Sequence, residues 1–169
     1  MKKMKKILLI ICLFTITFSS SEAQNKLGYI NSNELLTLMP ESKVMQSELE
    51  SFAKGLESQM MAMQAEGENK LSEYQQNESS MSELVKKDKV RELENIQQRI
   101  IEFQQNAQQA LSAKEQELLT PILDKARNAI EDVAKEGGFT YIFDASTGNI
   151  LYADENENIL PLVKAKLGL

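Results

Sequence analysis

Histidine and tryptophan are absent from this 169-residue chain, cysteine occurs once, at Cys12, and proline and glycine number only three and seven. Without histidine, the common zinc sites and any Ser-His-Asp or Cys-His nucleophilic arrangement lack their parts. Enzymes of that kind are excluded. Aromatic residues make up 6% of the chain and the formal net charge is −6. Neutralising nucleic-acid phosphates takes clustered Lys and Arg, which occur here in one short run only, so no nucleic-acid partner is expected.

The N-terminus reads as a cleavable export signal covering residues 1–23. Lys2, Lys3, Lys5 and Lys6 form a positive region, Ile7 to Phe18 an apolar run of twelve, and Ser21-Glu22-Ala23 a small-residue approach to a cut before Gln24. Twelve apolar residues fall short of the roughly 20 that span a bilayer. Ile11 before Cys12 does not suit a lipoprotein signal, so the cysteine leaves with the leader. Taking Lys2, Lys3, Lys5, Lys6 and Glu22 from 19 basic and 25 acidic residues leaves 15 and 24, a net of −9 for residues 24–169. An exported chain without a disulfide must be stabilised by packing and association.

What remains divides by pattern. Residues 24–40 and 137–169 carry period-two alternation and are read as a β-rich oligomerisation head; 41–136 are read as a helical arm rich in Gln, Glu, Lys, Met and Leu. Lys26 to Asn31 alternates Leu27 and Tyr29 against Gly28 and Ile30, a strand, after which Asn31 or Ser32 can cap a short helix. Pro40 should kink or restart that helix. Apolar residues then recur at Met45, Leu49, Phe52, Leu56, Met60, Met63, Leu71 and Tyr74, broken at Gly67. Periodicity stops at 75–82, the expected turn. A second stripe runs through Val90, Leu93, Ile96, Ile100, Phe103, Ala107, Leu111, Leu118, Ile122, Ala126, Ile130 and Val133. Two such stripes joined by a polar loop predict an antiparallel coiled-coil hairpin, with Pro121 bending the return arm and Gly137-Gly138 ending it. Phe139 to Phe143 and Asn149 to Ala153 then predict two more strands around a loop at Asp144–Gly148, and 159–167 a closing helix. The fold class is α+β: a long helical hairpin on a small β head. A head of about 50 residues buries too little surface to stand easily alone, which predicts that several heads associate.

The residues do not assemble into a site for chemistry. Asp144, Asp154, Glu155 and Glu157 match no calcium loop and read as solvated turn residues. Glu66 with Glu68, and Glu115 with Glu117, lie two apart on a helix and point away from each other. Gly137-Gly138 leads from helix into strand, the wrong order for a phosphate cradle. Neither metal nor cofactor is expected. The outward arm is instead rich in methionine, whose flexible, polarizable side chain adapts to varied apolar partners. The candidate contact residues for such partners are Met45, Phe52, Met60, Met61, Met63, Met81 and Phe103; of these Met61 and Met81 lie off the stripe and are expected to be exposed. The basic run Lys86, Lys87, Lys89, Arg91 near the turn is the only place where contact with a membrane surface is conceivable, and a solvated face is the preferred reading.

The opening Leu27-Gly-Tyr-Ile-Asn-Ser-Asn-Glu-Leu-Leu36 with Met39-Pro40, the Gln- and Glu-rich hairpin, and the closing Phe139-Thr-Tyr-Ile-Phe-Asp144 through Gly148-Asn-Ile-Leu-Tyr-Ala-Asp154 together resemble the OmpH/Skp family of periplasmic chaperones. The resemblance implies a homotrimer whose heads form an intersubunit β-barrel, with three hairpins enclosing unfolded outer-membrane proteins. It also implies an ATP-independent holdase; a structural or adaptor coiled-coil protein of the cell envelope is the alternative. Well-studied members are basic along the arms, whereas residues 41–136 here carry 12 basic and 19 acidic side chains, so lipopolysaccharide binding is not carried over. The interface of the shared head is assigned to Leu27, Tyr29, Phe139, Tyr141, Phe143, Ile150 and Tyr152. Sedimentation equilibrium of the exported chain is expected to give a species of three times the chain mass, and a stable folded monomer would contradict this assignment.

Overall fold

The computed structural model describes residues 25–169. The expected export signal and Cys12 lie outside the described residues. In order along the chain come strand β1 (Leu27–Ile30), helix α1 (Ser32–Leu38), helix α2 (Pro40–Asn77), a 3₁₀ turn (Glu78–Ser80), helix α3 (Glu83–Gly137), strand β2 (Tyr141–Asp144), a second 3₁₀ turn (Glu155–Glu157) and helix α4 (Leu160–Leu167). The protein is thus α+β, two long helices with a small strand pair at one end.

Local chemistry accounts for most of these boundaries. The Asn31 side chain accepts from the Glu34 N–H and starts α1. Met39 is extended, with ψ of 128°, because Pro40 bars it from helical backbone; proline then sits in the first turn of α2, where its missing N–H costs nothing. Ser82 caps α3 by accepting from Val85 N–H. Gly138, at φ +66°, closes α3 in the left-handed conformation, and the Phe139 N–H reaches back to Ala134 O at 2.9 Å. Lys26 Nζ lies 2.8 Å from Gly137 O, placing a cation at the negative end of α3.

At 1.5 Å per residue, α2 and α3 extend about 57 and 82 Å. They run antiparallel, as three cross-arm ion pairs show by their register: Lys70–Glu92, Arg99–Glu66 and Lys89–Glu73. A fourth, Lys125–Glu41, joins the arms at their base.

The core lies at that base. Ile30, Leu35 and Met39 from the N-terminal elements pack with Ile122, Ala126, Ala129 and Val133 of α3 and with Ile159, Leu160 and Val163 at the C-terminus. The first and last described elements are therefore closed over the last four turns of α3, and the apolar core extends across residues 136–137. Gly28 is needed for that closure: a Cβ there would sit 2.9 Å from Phe139 Cε1 and 3.0 Å from Ile159 Cγ2. Lys166 staples α4 to α3 through Glu136 at 2.6 Å and Asp132 at 3.6 Å.

The strands depart from expectation. β1 and β2 pair in parallel, with Leu27 opposite Tyr141 and Tyr29 opposite Phe143. Residues 149–153, expected to form a hairpin strand with 139–143, are irregular. The cause is the next stretch of chain: Asn158 bridges β1 from its other side, and Ile159 N–H donates to Tyr29 O at 2.9 Å. The chain leaving β2 must cross the sheet to reach that edge, and 149–153 makes the crossing. Its departure is set by Asp144, whose Oδ1 accepts from the N–H groups of Ser146 at 2.9 Å and Ser32 at 3.2 Å, while Oδ2 accepts from Ser32 Oγ at 2.6 Å.

Burial tends to raise the Asp144 pKa, but the hydrogen bonds from Ser32 and Ser146 outweigh it and hold the carboxyl below its ordinary value. A depressed folded pKa stabilises above the unfolded value, about 3.9, and that contribution is lost as pH falls through the folded value. Asp144→Asn should lower stability at neutral pH by about 1 kcal/mol, solvent screening included. The gap between variant and parent should close as pH falls below the ordinary carboxylate range, as read by urea denaturation across pH.

Candidate functional site

The two faces of the strand pair differ in what they touch. Gly28 and Ile30 are buried against the core and Ile142 packs on it, while Leu27, Tyr29, Tyr141 and Phe143 point the other way. Tyr141 is 60% and Phe143 49% exposed, with their rings stacked at 6.4 Å. The crossing segment hangs over this face, with Tyr152 87% exposed. Leu27, Tyr29, Phe143, Ile150 and Tyr152, all assigned from sequence to an intersubunit surface, line one open hollow of ~470 Å³. Phe139 is elsewhere. It precedes β2, so strand alternation does not govern it; its ring packs on the core with Lys26 Nζ 4.1 Å from its centroid. Burial, then the carboxylates of Glu155, Asp154 and Glu157, raise the Tyr29 pKa and keep the phenol neutral. Among the described residues β2 pairs only with β1, which leaves an aromatic strand edge open.

The arms present a second surface. No residue of α2 is fully buried, and along α3 only Ile96 is buried before Ile122. The inward positions of α2 fall at Phe52, Leu56, Met60, Met63, Gly67, Lys70 and Tyr74; those of α3 include Lys86, Lys89, Leu93, Ile96, Ile100, Phe103, Ala107, Ala110 and Lys114. These spacings of three and four follow a heptad more closely than the apolar residues alone do. Leu71 and Val90, expected on the stripes, therefore face outward at 44% and 41% exposure, and Lys70 and Lys89 take the seam instead. Lysine can do this because its stem lies along apolar surface while the ammonium reaches a carboxylate at the edge: Lys70 Nζ meets Glu92 at 2.8 Å. That bond raises the Lys70 pKa and lowers that of Glu92, which also accepts from Lys89.

Glycine, alanine and lysine interrupt the larger apolar residues of this seam, and gaps remain. One of ~530 Å³ lies at Gly67, lined by Leu71, Leu93, Ile100, Ile101 and Glu68. Another of ~410 Å³ lies at Gly55 beside Phe52, Leu56 and Glu48. A third of ~480 Å³, at the shoulder where Pro40 faces Pro121, is lined by Val44, Met45, Leu118, Glu41 and Glu48. Of the methionines proposed to contact a partner, Met61 is 58% exposed. Met45, Met60, Met63 and Met81 are half-buried, as are Phe52 and Phe103. Met81, expected to be exposed, is thus partly covered at the turn. Sequence reasoning missed Val44, Leu84, Val85 and Ile101, exposed by 57, 71, 43 and 44%. A heptad grid fitted to spacing instead of to apolar residues would have found the outward ones.

The basic run near the turn is largely neutralised by its own neighbours. Lys86 pairs with Glu83, Lys89 with Glu73 and Glu92, and Arg91 with Asp88. Lys87 alone of the four has no carboxylate partner among the described residues. No helix of the described residues is long and apolar enough to cross a membrane.

Over residues 26–167, which include both the strand pair and the hairpin, the chain matches a known family, the OmpH-like outer membrane proteins. The chain belongs to the OmpH-like family. Two curated relatives are chaperone proteins named Skp. The Yersinia enterocolitica protein is 24% identical over 83% of this chain and 85% of its own length. The Vibrio cholerae protein is 24% identical over 82% of each. The crystal structure of an OmpH-like protein from Caulobacter crescentus superposes with a TM-score of 0.76 at 14% identity, over 86% of this chain and 85% of the other. At that identity the likeness establishes the shared fold. Skp-like proteins are chaperones and not enzymes.

Flexibility of the OmpH-like arm is open to test at its two interior glycines. A Cβ at Gly55 meets nothing within 4 Å, whereas one at Gly67 would lie 3.3 Å from Ile96 Cγ2. Gly55→Ala should stabilise the hairpin by about 1 kcal/mol, the difference in helix propensity. Gly67→Ala should gain less because Ile96 must move. Thermal melts followed by helical circular dichroism will rank the two.

Proposed function

We propose that this OmpH-like chain is an ATP-independent periplasmic holdase that keeps unfolded outer-membrane β-barrel proteins from aggregating, acting as a homotrimer. The observation that carries the reading is the unfinished packing of the arms. Two long helices keep register, yet α2 buries no side chain fully, and Met61, Leu71 and Ile101 stand on the arm surface. An ordinary folded domain would have closed such gaps, since interiors pack to crystal-like density. Half-covered methionine, leucine and phenylalanine spread along a pair of rods offer an unfolded chain many weak contacts in place of one strong one. Occupancy is then held by multiplicity and lost as the client's own folding withdraws its apolar segments, so release needs no nucleotide.

The head supports the trimer. Its open aromatic face and free β2 edge are suited to completion by the 149–153 segment of another copy, which would convert that irregular segment into a paired strand. Three heads joined in this way leave three arms projecting around a shared space of variable width. The names of the Skp relatives agree with a chaperone role, and the export signal expected over residues 1–23 would deliver the chain to the periplasm.

The test is dilution of a urea-unfolded outer-membrane β-barrel protein with and without the purified exported chain, followed by light scattering. Suppression is expected near one trimer per client. Unchanged scattering at tenfold molar excess would remove the holdase reading.

A further inference from the structure

The arms are acidic, and the excess is not used within the chain. Of the basic residues in 41–136, Lys54, Lys70, Lys86, Lys89, Arg91, Arg99, Lys114, Lys125, Arg127 and Lys135 each pair with a carboxylate of the same chain. On the arm shafts Glu48, Glu57, Glu68, Glu94, Glu102 and Glu115 have no cation within 4 Å among the described residues. Two of these six carboxylates border the apolar gaps. Glu68 lines the gap at Gly67, and Glu48 lines both the gap at Gly55 and the one at the shoulder. At the shoulder Glu41 adds an Oε2 that is buried without a hydrogen-bond partner, its other oxygen being taken by Lys125.

Each gap therefore combines apolar walls with a glutamate that has no cation within 4 Å among the described residues; Lys114 at the Gly55 gap and Lys125 at the shoulder also line the walls, but are taken by Glu117 and Glu41. From this we infer that the arms select cationic unfolded segments, those in which Lys or Arg lies next to aliphatic or aromatic residues. The inference rests on the holdase reading and narrows its clients. An apolar side chain fills the seam, and the neighbouring ammonium or guanidinium meets Glu48 or Glu68 at its rim. The net of 12 basic against 19 acidic residues over 41–136 adds a longer-range attraction. Anionic lipid or nucleic acid would meet like charge along the same surface, which leaves an unfolded polypeptide of positive charge as the occupant.

The chain contains no tryptophan, so a tryptophan placed in a peptide reports binding without background. Three unfolded peptides of about 16 residues, long enough when extended to lie along an arm, would share one set of Leu, Phe and Trp positions. The intervening positions would hold Lys and Ser, Gln and Ser, or Glu and Ser. With the exported protein, affinity is expected to fall in the order Lys, Gln, Glu, by at least about threefold at each step in low salt, and the steps should shrink at about 0.5 M NaCl, roughly three times physiological ionic strength. The double variant Glu48→Gln with Glu68→Gln keeps helix propensity and should reduce the Lys-over-Gln preference by about twofold while leaving the Gln peptide unchanged. Equal affinities, the reverse order, or a Lys-over-Gln preference undiminished in the double variant would overturn the inference. So would absence of peptide binding by a protein that still suppresses client aggregation. If neither peptide binding nor suppression is seen, the holdase reading falls as well.

Discussion

The closure of the first and last described elements over the last turns of α3 is the constraint on which the rest of the molecule depends. Among the described residues, full apolar burial is concentrated there, in Ile30, Leu35, Met39, Ile159 and Val163 against Ile122 through Val133; farther out along the arms only Ile96 joins it. Because α3 belongs both to this core and to the hairpin, the base of the arm is held rigidly while its outer length is free of core obligations. The parallel pairing of β1 with β2 follows from the same closure, since the strands enter from opposite ends of the chain and meet where α1 and α4 pack.

Along the arms a different balance applies. Register is kept by cross-arm ion pairs and by a heptad seam, neither of which contributes much stability: exposed ion pairs are worth at most about 1 kcal/mol each, and glycine, alanine and lysine fill a seam poorly. What such a seam does provide is accessible apolar surface that stays dispersed. Distributed in gaps beside glutamates, it is less able to drive self-aggregation than one contiguous patch would be. An OmpH-like arm can thereby display apolar side chains without presenting one contiguous apolar patch.

Much of the fold was legible in the residues. Asn31, Pro40, Ser82 and Gly138 act locally, each through its own backbone preference or a hydrogen bond a few positions away, and the structure places them as those preferences require. The expected turn at 75–82 matches the break between α2 and α3. The strand expected at 149–153 failed because its alternation describes a capacity to pair, while the bridge from Asn158 to β1 decides where the chain must go. The seam was misread at Leu71 and Val90 for a related reason: counting apolar residues assumes that inward positions are apolar, and here Lys70 and Lys89 occupy them with their charges led out to Glu92 and Glu73.

By itself, then, the amino-acid order determined helix and turn boundaries, the absence of the parts needed for histidine- or cysteine-based catalysis, the acidic balance of the arms and the family pattern, because each of these is a property of single residues or of neighbours within a turn or two. Only the tertiary structure decided which carboxylates remain unpaired, that the first and last described elements share a core with α3, and that five scattered apolar residues line one hollow. Those depend on contacts between residues far apart in the chain, such as Glu41 with Lys125 or Tyr29 with Asn158, and no local spacing records them.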